Sequence, residues 1–200
     1  MEVSHYFRIS NDNFFPLDVD TSLQITFVAY HLQRKNKLFT TDQLKSWELS
    51  FDIKPVGTVD GWNNILQCTA SDEYTFPKYG SRMPAIWFHS KSTRLHIYNS
   101  INGTLVYHDE DKDLPINVFT NIQMRQTLSI DGVYIFSVTV NGKRIWEVIN
   151  GDAKDWSDVK VYLSSPWYPP ANAYIQNFKF KNIPQGQLFR DNVTDGSVSF

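Results

Sequence analysis

Trp87, His89, Arg94, His96 and Tyr98 alternate with apolar residues across one predicted hairpin. In Pro84-Ala85-Ile86-Trp87-Phe88-His89 and Arg94-Leu95-His96-Ile97-Tyr98, burying Ile86, Phe88, Leu95 and Ile97 turns the alternate side chains to the opposite face. If Asn102-Gly103 closes a two-residue turn, Tyr98 lies opposite Tyr107 and His96 opposite Asp109, which adds a ring and a carboxylate to the stripe. Rings beside Arg, His and Asp suit saccharide recognition: a ring covers C–H patches while planar polar groups hydrogen-bond hydroxyls. The same set would hold a polyene or another flat apolar ligand. The competing reading is a face covered by a second layer, a tail or an oligomer interface. On the ligand reading, truncating Trp87 or His96 is expected to spare folding and reduce binding.

A second cluster is Ser165-Pro166-Trp167-Tyr168-Pro169-Pro170-Ala171-Asn172. Its prolines fix φ and so lower the entropy lost when Trp167 and Tyr168 meet a ligand. Such a loop serves either as a rim or as a plug that seals the end of a core.

Catalytic patterns are missing. The five Glu stand at 2, 48, 73, 110 and 147, and none sits with a second acid at a spacing such as Glu-x-Asp-x-x-Glu, so the paired carboxylates of glycoside hydrolysis are not visible, although acids on separate strands can still meet in space. Neither a Gly-x-Ser-x-Gly elbow, a phosphate loop nor a His-Glu-x-x-His helix occurs. We therefore expect no catalytic residues. The histidines at 5, 31, 89, 96 and 108 show no compact metal-ligand spacing, although His89 and His96 approach across the hairpin, and no metal is expected. Asp109-Glu110-Asp111-Lys112-Asp113 lacks the pattern of a calcium loop and reads as a solvated hairpin tip. Cys68, the single cysteine, reads as a buried thiol.

The elements that must position these residues are strands. Trp47-Glu48-Leu49-Ser50-Phe51-Asp52-Ile53-Lys54 alternates without a fault, which places Trp47, Leu49, Phe51 and Ile53 on one buried face. Similar segments occupy 23–32, 62–68, 85–89, 94–99, 104–108, 118–127, 133–140, 143–149, 159–163 and 173–180. Asp60-Gly61, Asn102-Gly103, Asp131-Gly132 and Asn141-Gly142 are dipeptides that accept positive φ in type I′ hairpins, so consecutive strands are expected to be mostly antiparallel neighbours. No sustained 3.6-residue period occurs. Short strands at this spacing predict an all-β, antiparallel two-sheet sandwich over residues 1–183, with 184–200 as a tail or an edge-covering arm.

A net charge of −2 and the lack of a basic cluster argue against nucleic acid as a partner. No apolar run approaches the roughly 20 residues of a membrane-spanning helix. Aromatic residues make up 15% of the chain, more than a core usually needs, so some rings are expected to face a ligand or a partner. The sequons at Asn102 and Asn192 are compatible with glycosylation and an extracellular setting. The N-terminus lacks the regions of a signal peptide and is expected to be that of a mature form.

Trp-Glu-Leu-Ser-Phe-Asp-Ile-Lys-Pro at 47–55, Val-Tyr-Ile-Phe-Ser-Val-Thr-Val-Asn-Gly-Lys at 133–143 and Ala-Tyr-Ile-Gln-Asn-Phe-Lys-Phe at 173–180 resemble the concanavalin A-like lectin/glucanase superfamily, particularly its laminin-G-like and pentraxin-like domains. The resemblance spans roughly residues 20–182 and implies a jelly roll that binds sugars, calcium or protein at a loop rim or concave face. Arg-Met-Pro-Ala-Ile-Trp-Phe-His at 82–89 and Ser-Pro-Trp-Tyr-Pro-Pro-Ala at 165–171 are also similar to lectin-like domains of marine invertebrates, and no biochemical role travels with that similarity. The chain departs from calcium-dependent members in lacking an acidic rim set, and from hydrolytic members in lacking paired acids. The expectation is a non-enzymatic, secreted, lectin-like protein without cofactor that binds carbohydrate through Trp87, His89, Arg94, His96, Tyr98, Trp167 and Tyr168. The alternative is a carrier of an apolar small molecule such as a carotenoid pigment, held at a homo-oligomer interface; a glycosidase is more distant.

Overall fold

In a computed structural model, which describes residues 22–25, 29–71 and 78–184, the fault-free alternation of 47–54 is a central strand. Thirteen strands are described. They are β1 (Ser22–Ile25), β2 (Tyr30–His31), β3 (Lys37–Gln43), β4 (Trp47–Pro55), β5 (Asn63–Thr69), β6 (Ala85–Phe88), β7 (Arg94–Ile101), β8 (Thr104–Asp113), β9 (Thr120–Leu128), β10 (Tyr134–Val140), β11 (Lys143–Asn150), β12 (Trp156–Leu163) and β13 (Ala173–Asn182). No helix occurs among the described residues.

The strands form two sheets. The first has the order β1-β13-β4-β9-β10-β11, with β2 also paired to β13; the second runs β3-β12-β5-β6-β7-β8. Every strand pairing is antiparallel. The chain is a two-sheet antiparallel jelly-roll sandwich. Trp47, Leu49, Phe51 and Ile53 of β4, with Ile122 and Met124 of β9 and Phe178 and Phe180 of β13, pack against Cys68, Ile86, Phe88, Leu95, Ile97 and Val161 of the second sheet. Burial pushes the Cys68 thiol far up in pKa, so it stays protonated and inert.

Two of the glycine turns are tight hairpins: Asn102 and Gly103 have φ of 52° and 74°, and Asn141 and Gly142 have 48° and 75°. The other two differ from expectation. Gly132 sits in a longer loop between β9 and β10, while Asp60-Gly61 lies in the crossing from β4 to β5, which belong to different sheets. Only the runs β5 to β8 and β9 to β11 place consecutive strands side by side.

Three segments depart from the sequence reading. The strand expected over 23–32 is described as β1 and β2, with 26–28 between them outside the described residues. Strand β3 was invisible because Lys37-Leu38-Phe39-Thr40-Thr41-Asp42-Gln43 does not alternate: it is an edge strand whose register with β12 slips twice. The stretch 109–113 is no hairpin tip but the second half of β8, and its hydrogen-bonded partners keep it extended along β7. Residues 1–21 and 185–200, including the Asn192 sequon and nearly all of the expected tail, lie outside the described residues.

Candidate ligand-binding site

The second sheet has an inner face, packed on the core, and an outer face. Its central register is Phe88↔Leu95 and Ile86↔Ile97 inward, Trp87↔His96 and Ala85↔Tyr98 outward. The neighbouring pair adds His96↔Asp109 and Tyr98↔Tyr107. The faces and the β7–β8 pairs are those that the sequence predicts, because the tight turn at Asn102-Gly103 sets the β7–β8 register and inner burial sets the faces.

On the outer face lies a cavity of about 450 Å³. From the predicted stripe, Trp87, His89, His96 and Tyr98 line it, joined by Tyr107, Asp109 and the loop residue Tyr168. Arg94 and Trp167 do not. Arg94 sits beyond a bulge and stands opposite Asp113, whose carboxylate it helps to hold ionised. Trp167 is half-buried in a loop clasped from outside by Arg34, whose guanidinium donates to the carbonyls of Pro166 and Trp167, both at 3.3 Å.

Two lining residues were missed by the sequence reading. Trp62 immediately precedes β5 and swings across the outer face, its ring centroid 4.5 Å from that of His96 and 4.9 Å from that of His89. The signal was the positive-φ Gly61 just before it, anchored by Asp60 and Ser90, which breaks the strand where sequence reasoning had begun one. Arg82 comes from the turn before β6. Ser100 fixes that turn, its hydroxyl accepting from the Gly80 N–H at 2.9 Å and donating to the Arg82 carbonyl at 3.0 Å. The guanidinium lies 4.2 Å from the Tyr98 ring centroid and 4.8 Å from that of Trp87. It also donates to the Tyr168 hydroxyl at 3.4 Å. Only 9% exposed, Arg82 pairs with no carboxylate among the described residues.

These layers explain a correction. Trp87 faces outward as predicted, yet it is only 2% exposed, because Arg82 and Tyr168 cover it. Both faces of β6 are therefore buried, and Trp87 forms the floor of the cavity. The rings at its mouth are Trp62, 43% exposed, and Tyr107, 59% exposed. The Ser165–Asn172 loop acts as rim and plug at once. It is tied to Asn64 of β5, whose side chain accepts from the Ser165 N–H at 2.7 Å and donates to the carbonyls of Leu66 and Ile86, both at 3.1 Å. Asn64 also bonds the loop through its backbone, to Pro169 at 2.8 Å and Ala171 at 2.9 Å.

Next to the mouth, Asp109 Oδ1 lies 2.5 Å from His96 Nδ1 and 2.7 Å from His89 Nε2. Burial pushes the His96 imidazole below its ordinary pKa, against the opposing pull of Asp109. Partial burial works to raise Asp109, but hydrogen bonds from His96 and His89 outweigh it and hold the carboxyl below its usual range. Asp109 is thus an ionised acceptor and each imidazole donates to it. The absence of a compact ligand set expected from spacing does not hold in space: His89, His96 and Asp109 place their ligand atoms within 4.8 Å of one another. Two nitrogens and one carboxylate do not fit Ca²⁺, which takes six or more oxygens. Among the described residues no other such group of three is gathered.

The Asn102 sequon is not free. Its carboxamide donates to the Ile149 carbonyl at 3.1 Å and accepts from the Gly151 N–H at 2.6 Å, tying the β7–β8 turn to the end of β11.

The sequence matches no protein-family model and no curated protein. Solved structures do match. The carbohydrate-binding module CBM40 of a Ruminococcus gnavus IT-sialidase, solved with alpha2,3 sialyllactose, superposes with a TM-score of 0.50 at 8% identity, over 83% of this chain and 98% of that one. A heptameric SAP-like pentraxin from Limulus polyphemus gives 0.49 at 12% identity, over 90% of this chain and 86% of that one. An endo-beta-1,4-glucuronan lyase from Trichoderma reesei gives 0.49 at 11% identity, over 81% of both chains. At such identities the likeness is one of fold, the two-sheet jelly-roll sandwich.

Proposed function

We propose that the outer face of the second sheet binds a saccharide and carries out no chemistry on it. The observation behind this reading is the mouth of the cavity, where the exposed rings of Trp62 and Tyr107 flank His89, His96 and Asp109. Apolar ring faces beside fixed hydrogen-bonding groups match the mixed C–H and hydroxyl surface of a sugar. Arg82 adds a pre-positioned cation, which favours a saccharide bearing a carboxylate. That the similar CBM40 module was solved with a sialylated sugar agrees with this class of ligand. For hydrolysis the described residues of the cavity lining offer a single carboxylate, Asp109, where glycosidases use two.

A carrier of an apolar molecule such as a carotenoid is the competing reading. It is disfavoured by Arg82 and Asp109, which such a ligand would desolvate without replacing their hydrogen bonds. An extracellular setting belongs to the proposal.

A glycan array probed with colourless recombinant protein should show binding, strongest for acidic glycans. Trp62→Ala should weaken it by about 2 kcal/mol, or roughly 30-fold, while leaving the melting temperature nearly unchanged. An array without signal, together with a visible absorption band in protein purified from its source, would replace the saccharide with the pigment.

A further inference from the structure

Sheet register gathers ligands that chain spacing keeps apart. His96 on β7 and Asp109 on β8 face each other across the ladder, and His89 follows the last residue of β6, so all three stand on or beside hydrogen-bonded strands. Their rings are held from several sides. Trp62 packs on both imidazoles, Tyr98 lies 4.8 Å from His96, and the imidazoles are 5.4 Å apart. Both ring nitrogens already converge on one oxygen, each sharing a proton with Asp109 Oδ1.

We propose that His89 Nε2, His96 Nδ1 and the Asp109 carboxylate form a binding site for a divalent transition metal, with a further coordination position facing the cavity. The ion would take the place of the two shared protons, His89 then carrying its proton on Nδ1 and His96 on Nε2, as neutral metal-bound imidazoles do. At ligand distances of roughly 2.0–2.2 Å, it needs its ligand atoms a little over 3 Å apart. The carboxylate must then withdraw by less than about 1 Å and the nitrogens must close from at most 4.8 Å. Asp109 has room for this, its side chain being 42% exposed. Two imidazoles and a carboxylate are the donor set of Zn²⁺, Cu²⁺, Ni²⁺ and Fe²⁺, and a poor one for Ca²⁺ or Mg²⁺. Three protein ligands and an open side describe a site that accepts an outer ligand. The claim does not depend on the cavity taking a saccharide.

Calorimetric titration of chelator-treated full-length chain with ZnCl₂ at neutral pH, without sugar, tests it. One equivalent should bind with a micromolar or tighter dissociation constant. Co²⁺ in place of Zn²⁺ should give the visible absorption of a low-coordinate nitrogen and oxygen site. His89→Ala should weaken binding at least ~10-fold. Because His89 lies outside the strands, that variant is expected to fold, and its circular-dichroism melt checks this. His31→Ala, an imidazole elsewhere on the molecule, should bind as the parent does. Zinc should raise the melting temperature of the parent and not that of His89→Ala. Absence of zinc binding below millimolar concentration, or a folded His89→Ala that binds as tightly as the parent, overturns the site.

Discussion

At Trp87 the direction a side chain faces and its burial part company. Its β-strand position points it away from the core, but Arg82 and Tyr168 lie over it, so the ring is structural floor rather than free contact surface. Trp87→Ala should therefore cost about 3 kcal/mol in chemical denaturation, the range for a buried aromatic. Tyr107, exposed at the mouth, should behave oppositely: Tyr107→Ala should stay within about 0.5 kcal/mol of the parent and lose ligand affinity. Equal stability losses for the two variants would mean that the outer face is packed throughout. Arg82 shows a related logic, since its cation–π contacts and one hydroxyl hold a charge in place without neutralising it.

Strands and loops position these groups through a few polar anchors. Asn64 joins β5, β6 and the proline-rich loop with every hydrogen-bonding group of its side chain satisfied. Asn64→Ala leaves buried backbone groups unpaired, so it should cost about 1–3 kcal/mol and also loosen Tyr168. Nearly unchanged denaturant midpoints and faster amide exchange confined to the loop would show that the anchor acts on the loop alone. Asp113 plays a similar part at the far end of β8. The Ser92 hydroxyl at 2.6 Å holds its carboxyl below the usual range, helped by the Thr93 N–H at 2.7 Å and hydroxyl at 3.1 Å. The folded state then binds this proton more weakly than the unfolded chain does. Its stabilisation is complete above the ordinary carboxylate range and fades as pH falls through that range towards the lowered value. Thermal melts should show Asp113→Asn less stable than the parent at pH 7, with the gap closing in acid; a gap independent of pH would contradict this.

For the whole molecule, the sandwich rests on β4 and its neighbours. Trp47 and Phe51 are fully buried between the sheets, and Trp47→Ala or Phe51→Ala should each lower stability by about 3–5 kcal/mol. Against a domain's total of about 5–15 kcal/mol, a double substitution should abolish cooperative melting. For the calcium binding implied by the resemblance to pentraxin-like domains, no three carboxylates gather among the described residues. Titration with Ca²⁺ should accordingly show no tight site.

Sequence alone determined the alternation of β4, the two Asn-Gly hairpins and the facing pairs Tyr98–Tyr107 and His96–Asp109. All of these follow from local rules: a two-residue period, positive φ at a tight turn, and burial of one face. What the tertiary structure decided lies beyond those rules. Trp62 and Arg82 reach the cavity from turns that lie outside the alternation of the stripe, and Trp87 is buried by residues outside its hairpin. Arg94 is carried away from the cavity by a bulge that its sequence does not announce. The His89–His96–Asp109 cluster spans a ladder, so its ligands meet only once β6, β7 and β8 pair. Backbone pairing is encoded residue by residue, whereas a cavity is a property of elements packed from different parts of the chain.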